Sequence, residues 1–148
     1  LSDGATPDVV VGVAIVATTR FQAGTVVNLD SASNPQNYIH AYLDKDIGVG
    51  TTRILLDEVV AGTRTNKITV TNATYVSGAR PVVVRNGTQC RAFYNNIIVG
   101  TVQTMTANVN TLHGLFSTNV ANTFDNFLVM PRGTRGEYAP LGRFTKGG

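Results

Sequence analysis

The sequence has no tryptophan, one cysteine, two histidines and only 14% charged residues. Each shortage excludes something. A single thiol, Cys90, rules out a disulfide framework and any cysteine-based metal site. His40 and His113 stand far apart in the chain and leave little for a metalloenzyme. Apolar runs such as Val9-Val10-Val11 and Ile97-Ile98-Val99 are far too short to span a bilayer, so no membrane partner is expected. No basic segment runs into an apolar one, so no signal peptide is visible, and a start at Leu1 rather than Met reads as a processed or excised piece. With 148 residues the chain is long enough for one sizeable core and too short for two.

What is abundant sets the fold class. Val and Thr supply 20 residues each, with 15 Gly and 13 Asn beside them. β-branched side chains lose rotamer freedom in a helix and fit a pleated surface. Gly and Asn supply the positive-φ positions of tight turns. The expectation is an all-β chain.

Charge is uneven. Residues 131–148 hold Arg132, Arg135, Arg143 and Lys146 against Glu137, while the first 130 carry eight basic and eight acidic side chains. A nucleic-acid footprint spreads Lys and Arg over a face of the folded body, so no nucleic-acid partner is expected. The sequence therefore divides into a neutral domain over 1–130 and a basic Gly/Arg-rich arm or linker over 131–148. Tyr138, Leu141 and Phe144 are spaced apolar anchors in that arm. With Arg132, Arg135 and Arg143 they suit docking against a surface, its own or a partner's.

Along the body, a polar leader over 1–8 precedes Val9–Thr18, nearly all apolar and suited to a strand covered on both faces. Thr25–Asp30 is a short strand. Tyr38–Leu43 alternates, with Ile39, Ala41 and Leu43 on one face and Tyr38, His40 and Tyr42 on the other. Arg53–Val60 reads as another strand, and Lys67–Thr71 places Ile68 and Val70 inward. Val82–Val84, Gln89–Tyr94 and Ile97–Met105 form a meander. Its turns fall at Asn86-Gly87, read as type I′, and at Asn95-Asn96. Leu112–Phe116 and Phe124–Met130 complete the set, the latter with Phe124, Asn126, Leu128 and Met130 on one side. About ten short strands with frequent turns and no long helix predict a two-sheet antiparallel β-sandwich with an irregular C-terminal extension.

One segment resembles a known family. Val82-Val83-Val84, Asn86-Gly87-Thr88, Ala92-Phe93-Tyr94-Asn95-Asn96 and Val99-Gly100-Thr101 resemble the central hairpins of laminin-G-like domains. His113-Gly114-Leu115-Phe116 and Phe124-Asp125-Asn126-Phe127-Leu128-Val129 are similar to the closing strands of the same concanavalin A-like jelly roll. The resemblance implies a non-catalytic recognition module, glycan-binding or adhesive, usually one unit of a larger secreted or virion protein. It transfers no ligand residues, because in that fold they sit on variable loops.

Reactive constellations are missing. Asp57 and Glu58 are adjacent, so on a strand they point to opposite faces and cannot flank one bond. No Gly-x-Ser-x-Gly elbow and no phosphate loop occur. Cys90, alternating with Ala92 and Tyr94, reads as a small buried hydrophobe. Asp44 and Asp46, with Asp125 from the last strand, could offer oxygens to Ca²⁺, the one metal whose flexible geometry suits such a loop. Tyr38, His40 and Tyr42 form a ring stripe that suits stacking on sugar C–H faces, or alternatively a packed core or subunit face. The sequence thus points to a non-enzyme, either a carbohydrate-binding or adhesion module of an extracellular or virion-associated protein, or a virion structural protein that works by self-assembly. Its partners are then a glycan or neighbouring subunits, with a homo-oligomer expected.

Overall fold

The computed structural model describes residues 1–17, 21–45 and 51–132. Within them the chain forms strands Ser2–Asp3 (β1), Val9–Val16 (β2), Phe21–Leu29 (β3), Tyr38–Lys45 (β4), Thr52–Val60 (β5) and Thr63–Ala73 (β6). Pro81–Asn86 (β7), Gln89–Tyr94 (β8), Ile97–Thr104 (β9), Leu112–Ser117 (β10) and Thr123–Pro131 (β11) follow, and the described residues contain no helix. All pairings are antiparallel. A six-stranded sheet runs β1-β10-β3-β4-β5-β6 and a five-stranded sheet runs β11-β2-β7-β8-β9. The two sheets close over one core, a jelly-roll sandwich.

The alternation along each strand explains the packing. Ile39, Ala41 and Leu43 of β4, with Ile54 and Leu56 of β5, face inward against Val9, Val11, Val13, Val83 and Val99 of the other sheet. Fully burying each Val, Leu or Ile contributes roughly 1.5–3 kcal/mol. Ile68 is buried and Val70 packs beside it. Cys90 lies at the core, where burial pushes its thiol up to about 12. Thr69, Thr71, Thr101, Thr104 and Thr106 are exposed. β7, β8 and β9 form the expected meander.

Three local readings change. The turn at Asn86-Gly87 is shifted by one residue. Asn86 pairs with Gln89, so Gly87 and Thr88 are its central residues, and only Gly87 has positive φ (+59°). A glycine in the first central position is the type II′ pattern rather than type I′. Asn95 and Asn96 do both take positive φ, as a type I′ turn requires. In β11 the register slips between Asp125 and Leu128, with Asn126 at φ +53°. This bulge rotates the strand, so Phe124 packs on the core with Phe127 and Val129 instead of opposite them. Finally, the polar leader is not featureless, because Ser2 and Asp3 pair with His113 and Leu112.

Candidate functional site

The outer face of the six-stranded sheet carries the aromatic stripe. His40 stacks on Tyr42 with ring centroids 4.1 Å apart, and Phe116 of β10 meets His40 edge-on at 4.3 Å. Arg64 of β6 lies over the Tyr42 ring, 5.2 Å from its centroid, and donates from Nε to Asp57 Oδ2 at 2.6 Å and from Nη2 to the Tyr42 hydroxyl. Tyr42 donates in turn to Asp57 at 3.0 Å, and Asn66 Nδ2 donates to the other Asp57 oxygen at 2.6 Å. The register makes this possible. Tyr42 faces Leu55 across one strand pair and Gly24 across the other, while His40 faces Asp57 and Val26. Gly24 is required here, since a Cβ would stand 2.1 Å from the Ala41 carbonyl oxygen.

As an open stacking platform, the stripe fails at two of its three rings. Tyr42 is 2% exposed and His40 6%. Phe116 and the half-exposed Arg64 cover them, because outer-face side chains on a multi-stranded sheet bury one another laterally. Burial, with Arg64 adding to it, pushes the His40 imidazole down to about 3, and its Nε2 has no hydrogen-bond partner. Burial likewise raises the Asp57 carboxyl, against the Asn66 hydrogen bond that lowers it.

Tyr38 alone of the three reaches a cavity. At one end of the sandwich a cavity of about 300 Å³ opens between the start of β4, the end of β5, Arg85 at the end of β7 and the segment 105–111. Two charged side chains line it. Glu58 accepts from the Thr106 backbone N–H and pairs with Lys67 Nζ at 3.0 Å. Burial would raise its carboxyl, but those hydrogen bonds outweigh it and hold the group below the usual range. Arg85 is 1% exposed. It donates from Nε to the Gly87 carbonyl (2.9 Å), from Nη1 to Asn28 Oδ1 (2.8 Å) and from Nη2 to the Thr106 carbonyl (3.3 Å).

Asn28 is the hub that holds Arg85. At φ +57° it interrupts β3, and its Nδ2 donates to the Pro7 and Asn110 carbonyls, at 3.1 and 2.6 Å. Its backbone N–H donates to His113 Nδ1 and its carbonyl accepts from Asn108 Nδ2 at 2.9 Å. Asn tolerates this left-handed conformation better than most residues, so the choice of residue follows from the backbone. Sequence reasoning missed Asn28, Arg85 and Glu58 as partners. The available signal was an arginine in line with Val83 in an otherwise apolar strand, a position that demands compensation.

The candidate Ca²⁺ ligands are not brought together. Asp44 on β4 is ion-paired with Arg53, and Asp125 on the far edge of the other sheet accepts from its own neighbour, Asn126 N–H, at 2.7 Å. Asp46 lies outside the described residues. Among those described, no group of three His, Cys, Asp or Glu side chains is placed to hold a metal. Of the proposed docking arm, Arg132 N–H donates to the Asp8 carbonyl at 2.7 Å, whereas Arg135, Tyr138, Leu141, Arg143 and Phe144 lie outside the described residues. No helix of the described residues is long and apolar enough to cross a membrane.

No protein-family model and no curated protein matches the sequence. Solved structures do match in shape. The chain is similar to carbohydrate binding module CBM66 from Bacillus subtilis, with a TM-score of 0.68 and 13% identity, over 88% of this chain and 84% of that one. It is also similar to the Caenorhabditis elegans galectin LEC-6, with a TM-score of 0.55 and 12% identity over 88% and 87% of the two chains. At such identities the likeness shows the fold alone, a jelly-roll β-sandwich. Of the expected resemblance only the jelly-roll β-sandwich is shared with these structures, and no match singles out the laminin-G branch.

Proposed function

We propose that this chain is a non-catalytic carbohydrate-binding module, part of a larger extracellular or virion-associated protein, whose ligand enters the end cavity. The cavity itself carries the reading. Its volume of about 300 Å³ sits at the low end of small-molecule sites, with room for about one sugar ring. Hydroxyls both donate and accept, and the lining offers polar partners of both kinds, with Asn37, Asn108 and Asn110 beside Glu58 and Arg85. Tyr38 supplies a half-buried ring at the rim for a C–H face. The two structural neighbours, one a carbohydrate binding module and one a galectin, support the same ligand class. A glycan array, followed by ¹⁵N NMR titration with and without Ca²⁺, tests it. Sugars at millimolar concentration should shift the amides of Val59, Thr106 and Asn108. No binding, or shifts confined to the face around Tyr42, would overturn the assignment.

One observation favours the second reading, assembly. β9 is an edge strand of its sheet, and Ile97 and Ile98 on it are 71% and 52% exposed. Such an edge is a template for pairing with another chain. In this reading the chain is a virion structural subunit, and the arm over 131–148 docks on a neighbour. Sedimentation of the full chain decides it: a concentration-independent monomer excludes self-assembly.

A further inference from the structure

We propose that the outer face of the five-stranded sheet is a docking surface for this chain's own residues 133–148, which seat on it through Tyr138, Leu141 and Phe144. The proposal is independent of any ligand at the end cavity.

This face is apolar where an antiparallel sheet turned to water is ordinarily polar. Val9, Val11, Val83, Ala92 and Val99 fill the core, so alternation turns their neighbours outward. One outward row crosses all five strands in direct register: Leu128, Gly12, Val82, Phe93 and Ile98. Val82 leans over Gly12, where a Cβ would stand 2.9 Å from its Cγ2, so the glycine opens no gap. The next row is Met130, Val10, Val84 and Arg91, the last its one charged side chain. Ile98 is 52% exposed, Met130 47% and Leu128 37%. The two rows span on the order of 300 Å², the size at which an exposed apolar patch marks an interaction site. All eleven strands of the described residues belong to the two sheets, so none is left to cover it. Yet β2, apolar throughout except for Gly12, has the composition of a strand covered on both sides.

The place where the chain leaves the sheet points to the occupant. Arg132 is two residues past Met130 and therefore on the same side of its strand. There it lines a small hollow with Val84, Asn86, Gln89 and Arg91. The sixteen residues that follow thus start on the border of the face. Fully extended they reach about 50 Å, against about 20 Å across five strands. Their large apolar side chains fall at every third position, 138, 141 and 144, around Pro140. Three residues is the repeat of a polyproline II segment, which rises about 9 Å per turn. Two inter-strand gaps measure about 9.6 Å. An extended segment laid across the strands would therefore set one anchor over every second strand. Glu137, its one carboxylate, has a counter-charge within reach in Arg91. So short a tether favours the chain's own face over that of a second copy.

The test places a spin label on the full chain. Cys90 is buried and escapes thiol reagents, so a nitroxide can be attached selectively to a Thr145→Cys variant, beside the last anchor. In ¹⁵N spectra the amides of Val82, Phe93 and Ile98 should then lose most of their intensity, while those of Tyr42 and Asp57 on the other sheet keep theirs. Adding Tyr138→Ser, Leu141→Ser and Phe144→Ser, which alter no described residue, should restore the lost signals. Broadening that is absent from this face, or equal on both sheets, would overturn the proposal. So would broadening of unlabelled-thiol ¹⁵N chains mixed with the spin-labelled ¹⁴N variant, since that result gives the face to a second copy's segment. None of these readouts involves the end cavity, so the sugar site stands or falls separately.

Discussion

Asp57 and Glu58 are neighbours in sequence and opposites in environment. Asp57 points to the outer face of the six-stranded sheet, where Arg64, Asn66 and Tyr42 close around it. Glu58 points into the end of the sandwich, where its partners leave a cavity open in front of it. The first network is closed around Asp57: rings stack on rings and an arginine covers them, with His40 Nε2 the one ring nitrogen there that has no partner among the described residues. The second holds a buried cation, Arg85, that has no anion of its own among the described residues. A closed polar network specifies structure; an open one has capacity left for a ligand. Substitutions on the outer face should therefore change stability, and those around the cavity should change binding.

The largest effect is expected at Gly24, beneath the outer cluster. Gly24→Ala places a methyl against the Ala41 carbonyl and the Tyr42 backbone, neither of which moves without breaking the β3–β4 pairing. We expect a loss of more than about 3 kcal/mol, or no folded protein. A normal denaturation midpoint for this variant would mean that β3 and β4 lie farther apart than described.

Next is the pH dependence from His40. The unfolded imidazole takes a proton near pH 6.5, whereas the folded one resists until about 3. Between those values the unfolded state binds more protons, so stability falls as pH drops. The loss should be about 2 kcal/mol at pH 5. Urea titrations at pH 7 and pH 5 measure it, and His40→Phe should remove that part of the slope. Glu58, held low, adds a loss of the same sign at more acid pH, and Asp57, raised, opposes it. The histidine contribution is thus the difference between the two proteins, not the raw slope. An unchanged slope in the variant would show that His40 is open to solvent.

Much of the frame was legible because alternation and turn chemistry are local. Ile39, Ala41 and Leu43 face the core as their spacing requires, and two asparagines at 95 and 96 make the turn they suit. The β11 bulge was not legible, because a single Asn at positive φ reverses the face of every residue after it. The site was less legible still. Tyr38, His40 and Tyr42 look equivalent along β4, and what separates them is Phe116 and Arg64, brought in from strands 76 and 24 residues away from His40 in sequence. Arg85 reads as an isolated charge until Asn28, 57 residues earlier, is seen to hold it.

Two tyrosines of that one stripe give the sharpest contrast. Tyr42→Phe removes the hydroxyl that donates to Asp57 and accepts from Arg64, so it should cost about 1–2 kcal/mol of stability and leave sugar affinity unchanged. Tyr38→Ala removes a half-buried rim ring that touches His40 only edge-on, with centroids 6.4 Å apart. Its stability cost should be smaller, and it should weaken sugar binding by about 1 kcal/mol, close to the worth of one aromatic contact. Calorimetry of both variants against the same sugar separates the two regions. If Tyr42→Phe weakens binding as much as Tyr38→Ala does, the closed face and the open cavity are parts of one site, and the division drawn between Asp57 and Glu58 is wrong.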